Sequence, residues 1–188
     1  KQTTRNRDDQ KRADDLVKRN FNADHPDQLW VSDFTYIQTH SGWVYTAFII
    51  DVFSRAIVGW KVSTRMNTDI VLDALEQALR DRDMPKNVIH HSDRGVQYLS
   101  IRYTNRLEAA NLRASVGTTG DSYDNALAET VNGLYKTEVI EYLKADWRGL
   151  ADVQLATLNW VDWFNKERVH SALGYVSPFE FEAMYYDK

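Results

Sequence analysis

The chain has 188 residues, 43% of them hydrophobic and 12% aromatic, enough to bury a core and too apolar for a disordered polymer. It has no cysteine, which excludes disulfides and thiolate zinc sites, and its five histidines form no HExxH pair of a zinc hydrolase. The net charge of −4 does not advertise a nucleic-acid binder, but residues 1–19 hold seven basic and four acidic residues, so the acids gather in the remainder.

A cluster of acids in one pocket would need metal cations to neutralise it. The longest apolar run, VYTAFII, stops at Asp51, far short of the roughly 20 residues of a membrane span. No signal peptide is visible, so a cytoplasmic protein without membrane partners is expected. The chain begins at Lys1, as a fragment or processed product would.

In chain order, residues 8–20 predict a charged helix and 21–28 an extended connector. Residues 29–39 alternate as a strand, with Val31, Asp33, Thr35 and Ile37 on one face and Trp30, Ser32, Phe34 and Tyr36 on the other. HSG at 40–42 turns the chain into WVYTAFIIDVF, and SRA turns it again into IVGWKVS, so an antiparallel meander is expected. Ile70, Val71, Ala74, Leu75, Ala78 and Leu79 then recur at helical spacing, with Asn67 or Thr68 as N-cap and Pro85 closing the region. VIHHS is a short strand, residues 100–112 a helix, and RASVG a fifth strand. A long helix is expected from Ser122 through Leu143, a second over 153–167 and a last over 177–186. In domain terms, residues 1–24 form a charged, helical N-terminal segment, 25–145 a core, and 146–188 a helical extension packed on it.

The order β-β-β-α-β-α-β-α-α predicts an α/β fold. Three antiparallel strands followed by βα units make a mixed five-stranded sheet flanked by helices, the order of the ribonuclease-H-like fold. In that topology Asp33, mid-strand on the first strand, neighbours Asp93 at the end of the fourth. A charge in either place is poorly explained by packing. Glu129 follows on the long helix, with 35 residues between it and Asp93. With 27 acids in the chain, this spacing alone is weak.

The local contexts are specific. WVSDFTYI surrounds Asp33, HSDRGVQY surrounds Asp93, DNALAETVNGLYKTE surrounds Glu129, and WFNKERVHSALGYVSPFEF forms the tail. Together, over residues 20–183, these motifs resemble the catalytic core shared by retroviral integrases and bacterial insertion-sequence transposases, in particular the IS-three family. The resemblance implies a DDE triad of Asp33, Asp93 and Glu129 that catalyses Mg²⁺-dependent DNA 3′-end nicking and strand transfer. Two Mg²⁺ ions, or Mn²⁺ as substitute, would be held by hard carboxylate oxygens, Asp33 bridging both, Asp93 on one and Glu129 on the other. It also implies DNA ends and target as partners, a homodimer or higher oligomer, and nucleoid association in a bacterial cytoplasm. The family's helix-turn-helix region has no counterpart in residues 1–20 and is expected to be absent here. A structure-specific nuclease of the same fold, or a non-catalytic DNA-binding or oligomerisation core, are the alternative readings.

Asn125, Glu129, Asn132 and Lys136 fall on a single polar stripe of the helix, with Ala126, Thr130, Leu134 and Val131 toward the core. Such a stripe could grip a phosphate backbone; in similar integrases the lysine seven residues after the glutamate touches the DNA end, and Lys136 has that offset. Arg94 and Gln97 follow Asp93 closely enough to reach DNA, and the loop 117–124 could order on it. His90 and His91 point to opposite faces and are expected in the core. Asp51 is expected to cap its turn through Ser54 or Arg55, outside the site. Arg168 and His170 could contact DNA or lock the last helices onto the core, the second being expected, and Trp147, Trp160 and Trp163 are expected to pack helices.

Overall fold

The computed structural model describes residues 16–17, 22–93, 97–98, 100–117, 126–143 and 146–188. Strands β1 (Leu29–Thr39), β2 (Gly42–Asp51) and β3 (Ile57–Ser63) form the antiparallel meander, and β4 (Ile89–Ser92) and β5 (Arg113–Val116) add to it in parallel. The sheet order is β3-β2-β1-β4-β5, the mixed five-stranded arrangement expected from the sequence.

Strand alternation sends β1 side chains to two separate cores. Trp30, with Phe34 partly buried, joins a cluster under α1 (Thr68–Asp81) and α2 (Ile101–Ala109). Val31 and Ile37 join the other, under α3 (Ala126–Tyr135) and α4 (Leu150–Lys166). Each large apolar side chain buried this way contributes about 1.5–3 kcal/mol.

Helix α1 starts where Asn67 accepts a hydrogen bond from the Asp69 amide and buries the six apolar residues read from its period. It lies so close to β3 that a Cβ on Gly59 would stand 2.3 Å from the Ala74 carbonyl oxygen and 2.9 Å from Ala78 Cβ. Glycine opposite alanines is what lets helix and strand approach. Helix α5 (Pro178–Tyr186) starts with a capping box between Ser177 and Glu180 and a proline in its first turn.

Three expectations need correction. Among the described residues the long helix is α-helical over Ala126–Tyr135 and continues as a π-helical turn, Lys136–Glu141. Its buried face is Ala128, Val131, Asn132 and Tyr135, whereas Ala126 and Thr130 are exposed. The phase is set by Tyr135, whose hydroxyl lies 2.7 Å from Thr157 Oγ1 and 3.2 Å from Thr46 Oγ1. Trp163, expected in the packing, is 41% exposed, while Trp160 is buried against Phe48, Tyr135 and Phe164. The expected N-terminal helix lies outside the described residues apart from Leu16 and Val17, which form a bend; the Leu16 amide donates to Ser115 Oγ.

The tail is tied down by polar contacts. Glu138 in the π turn accepts from Trp160 Nε1 at 2.9 Å and from Arg168 at 2.7 and 2.9 Å. Arg168 also stands over the Phe164 ring, and buried His170 meets that ring edge-on. The Asn165 side chain accepts from the Ile57 amide at 2.8 Å and donates to the Ile57 carbonyl at 2.9 Å, replacing a neighbour strand at the edge of β3.

Candidate active site

The parallel ladder between β1 and β4 runs from Leu29 opposite Ile89 to Ser32 opposite Ser92 and ends there. Asp33 continues β1 past this point, and Asp93 follows the last residue of β4. Beyond that point β1 is paired with β2 alone among the described strands. Such a parting of strands at their carboxyl ends is where open α/β sheets place their sites.

Asp33 is half-buried. Its Oδ1 accepts from the Phe34 amide at 2.8 Å and its Oδ2 from Asn132 Nδ2 at 3.0 Å. Burial pushes its carboxyl up to about 6, the negative charges of Asp93 and Glu129 add to that rise, and the two hydrogen bonds oppose it. Glu129 lies one turn before Asn132 on α3 and is exposed, as is Asp93. Asp93 and Glu129 therefore both act on Asp33 through space, and the Asn132 bridge ties α3 to β1 beside it.

Their spacing is looser than coordination. Among the described residues no three His, Asp or Glu side chains stand close enough to hold a metal ion. The chemistry of the donors nonetheless suits a hard divalent cation. Three carboxylates face charge repulsion that a cation would relieve, and Asn132 Oδ1 is a buried oxygen without a hydrogen-bond partner among the described residues.

Under the acids lies a polar-aromatic layer that the sequence reading missed. His90 Nε2 sits 2.8 Å from Ser32 Oγ and 2.7 Å from Tyr103 Oη, and burial lowers the imidazole to about 3, keeping it neutral. Tyr98 is buried against His90, Tyr103 and Phe34. Its phenol is raised by burial, then by Tyr103, Asp33 and Asp93, so it too stays protonated. The signal was present in the strand parity of His90 and the helical position of Tyr103, but only the fold joins them. His91 Nδ1 meets Ser115 Oγ at 2.8 Å on the opposite face, the core role expected for both histidines.

Among the residues expected to contact DNA, Asn132 is buried and holds Asp33. Lys136 opens the π turn and lays its Nζ 5.1 Å from the centre of the Tyr36 ring, not against Glu129 or Asn132. Gln97 lies half-buried in a turn after Asp93. Arg94 and Asn125 lie outside the described residues.

Asp51 is a structural acid, as expected. Its Oδ1 accepts from the Ser54 amide at 2.9 Å and its Oδ2 from the Asp27 amide at 2.7 Å, and burial raises its carboxyl to about 6. Ser54 Oγ passes the network to Glu182 at 2.6 Å, and Glu182 pairs with both terminal nitrogens of Arg82 at 2.8 Å. Arg82 Nε reaches Asp27 at 2.9 Å, closing a loop between α1, α5 and the start of β1.

An integrase core domain profile matches residues 23–122, and a second integrase core domain profile matches residues 110–178. Over 174 residues the chain is 58% identical to the transposase for insertion sequence element IS629 of Shigella sonnei, covering 93% of this chain and 58% of that protein. It is 38% identical over 172 residues to transposase InsF for insertion sequence IS3A of Escherichia coli K12, covering 90% of this chain and 59% of that one. The chain thus spans less than two thirds of the length of these curated relatives. The HTLV-2 integrase catalytic core domain in complex with magnesium superposes with a TM-score of 0.68 at 18% identity, covering 86% of this chain and 99% of that chain. At that identity the likeness is one of fold, and the fold is ribonuclease-H-like.

Proposed function

The chain belongs to the integrase core domain family, as the catalytic core of an insertion-sequence transposase, and on that premise we propose that it cuts DNA 3′ ends and transfers them to a target strand. The observation that carries this reading is the end of the β1–β4 ladder at Ser32 and Ser92, which sets Asp33 beside Asp93 while α3 brings Glu129 within electrostatic reach.

Asp33, Asp93 and Glu129 form the catalytic triad in this reading and would hold Mg²⁺, two ions by family resemblance, with Mn²⁺ as substitute. Support comes from the carboxylate donor set and from the magnesium named with the HTLV-2 core. The bound cations would supply positive charge that activates a water or a DNA 3′-hydroxyl and stabilises the departing 3′-oxygen. In the first step a water oxygen bonds to phosphorus as the bond to the 3′-oxygen breaks, leaving a 3′-hydroxyl and a 5′-phosphate. In the second that 3′-hydroxyl displaces a 3′-oxygen of the target, so one phosphodiester replaces another and no protein–DNA bond is needed.

The chain's other residues position these groups. The Phe34 amide and Asn132 fix the Asp33 carboxylate, so Asn132 is a positioning residue. Lys136 supplies a cation for the phosphate backbone, and Arg94, Gln97 and Asn125 are further backbone contacts. Two ends must be joined, so an oligomer is part of the proposal; the HTLV-2 core is described in trimeric and dimeric forms.

The test is a labelled element-end duplex incubated with the full-length transposase, Mg²⁺ and plasmid. Nicked and longer, joined products are expected from the wild type and neither from Glu129→Gln of unchanged fold. Nicking without any joined strand would instead mark a nuclease of the same fold.

A further inference from the structure

Past the acids, the β1–β2 hairpin carries two large rings that the core does not enclose. Tyr36 is 55% exposed and Trp43 50%. The strand register sets Tyr36 opposite Tyr45 and Gln38 opposite Trp43, so both rings rise on one face in a diagonal pair. They meet edge to face, centroids 5.2 Å apart at 88°. On the same face Trp30, Phe34 and Tyr45 pack into the core under α1 and α2, and that packing ends before Tyr36.

A cation joins them from the opposite side of the sheet. Lys136 reaches from the end of α3 to place its Nζ 5.1 Å from the Tyr36 ring centre. Because β4 leaves β1 at Ser32, the side chain can pass across an edge of β1 that no described strand pairs. Tyr36 stands three residues beyond Asp33, about 10 Å along a strand. Asp33 faces the other side of β1, with Val31 and Ile37, so the two rings stand on the opposite face of the strand from its carboxylate, and Lys136 links the acids' face to them.

Half-exposed aromatic faces flanked by a cation suit single-stranded nucleic acid: a base stacks on a ring while the ammonium neutralises its phosphate. A base inside a duplex is already covered on both faces and offers the rings nothing. We propose that Tyr36, Trp43 and Lys136 form a shelf on which an unpaired DNA base beside the cut stacks. The proposal rests on the reading of the acid crevice as a DNA-cutting site.

The test uses the 188-residue chain and a duplex carrying 2-aminopurine in a short unpaired flank, against the blunt duplex of the same sequence. Wild type is expected to quench 2-aminopurine and to bind the flanked duplex more tightly than the blunt one. Trp43→Ala and Tyr36→Ala should each weaken flanked binding about 5- to 100-fold and leave blunt binding unchanged. Trp43→Phe should retain most of the difference. In the unaltered chain, 5-iodouracil placed in the flank should photo-crosslink to Trp43 or Tyr36, a readout that needs no variant to fold.

Unchanged flanked binding in folded Trp43→Ala and Tyr36→Ala, or crosslinks confined to other residues, would overturn the shelf while DNA binding stands. So would loss of self-association in Trp43→Ala with DNA binding intact, which would make the rings a contact between copies. Failure of the wild type to bind any DNA would instead remove the reading beneath it.

Discussion

Asn132 Nδ2 donates a 3.0 Å hydrogen bond to Asp33 Oδ2, tying the buried face of α3 to the middle of β1. This bond favours the charged carboxylate against burial and against the neighbouring acids. In Asn132→Ala the Asp33 carboxyl should therefore titrate higher than in the wild type, and the fold should lose about 1–2 kcal/mol. Carboxyl NMR titration without divalent cations, paired with thermal melting, checks both.

Asp33 is itself a cost to the metal-free fold. Its carboxyl is raised from 3.8 to about 6, so the native state binds its proton more tightly than the unfolded chain. The penalty is absent below the unfolded value and complete above about 6. Asp33→Asn should stabilise the metal-free protein by about 1–2 kcal/mol at pH 7.5, and by almost nothing near pH 4. The Asn132 amide can turn the oxygen that has no partner among the described residues toward the new donor, so no clash need cancel the gain. Melting curves at the two pH values decide it.

Asp51→Asn should behave in the opposite way. Both Asp51 oxygens accept backbone N–H groups, from Ser54 and Asp27, and an amide can satisfy only one of them. The buried donor–donor contact should cost about 1–3 kcal/mol. DNA cutting at a temperature well below melting should be unchanged, and selective loss of cutting would bring Asp51 into the site.

Glu182→Ala leaves Arg82 with Asp27 as its remaining carboxylate in a largely buried setting. A loss of about 3 kcal/mol is expected. The double variant Arg82→Leu, Glu182→Leu should recover part of it, since the guanidinium leaves with its carboxylate and Asp27 keeps the Trp30 Nε1 hydrogen bond. Chemical denaturation of the three proteins measures the difference.

Strand parity and element order in the sequence were enough to place Asp33 beside Asp93, because alternation along a strand is a local property. The faces of α1 and the turn role of Asp51 were legible for the same reason. The phase of α3 was not. Asn132 reads as a solvated polar residue until Asp33 is placed across from it, and Thr130 reads as core until Tyr135 is fixed by Thr46 and Thr157. The π turn has no marker in KTEVIE, since Glu138 is held by Trp160 and Arg168, more than twenty residues away. Asn165 against Ile57 and Glu182 against Arg82 were invisible because each joins distant segments through side chains that look like surface residues.

The most direct test of the metal-dependent triad is a crystal of this chain saturated with Mn²⁺ and read by anomalous scattering. A peak in contact with Asp33 and Asp93, lost in Asp33→Asn crystals, is the expected result. No peak at saturating Mn²⁺, or peaks only on other carboxylates such as Asp51 or Glu182, would contradict a metal site built from Asp33, Asp93 and Glu129.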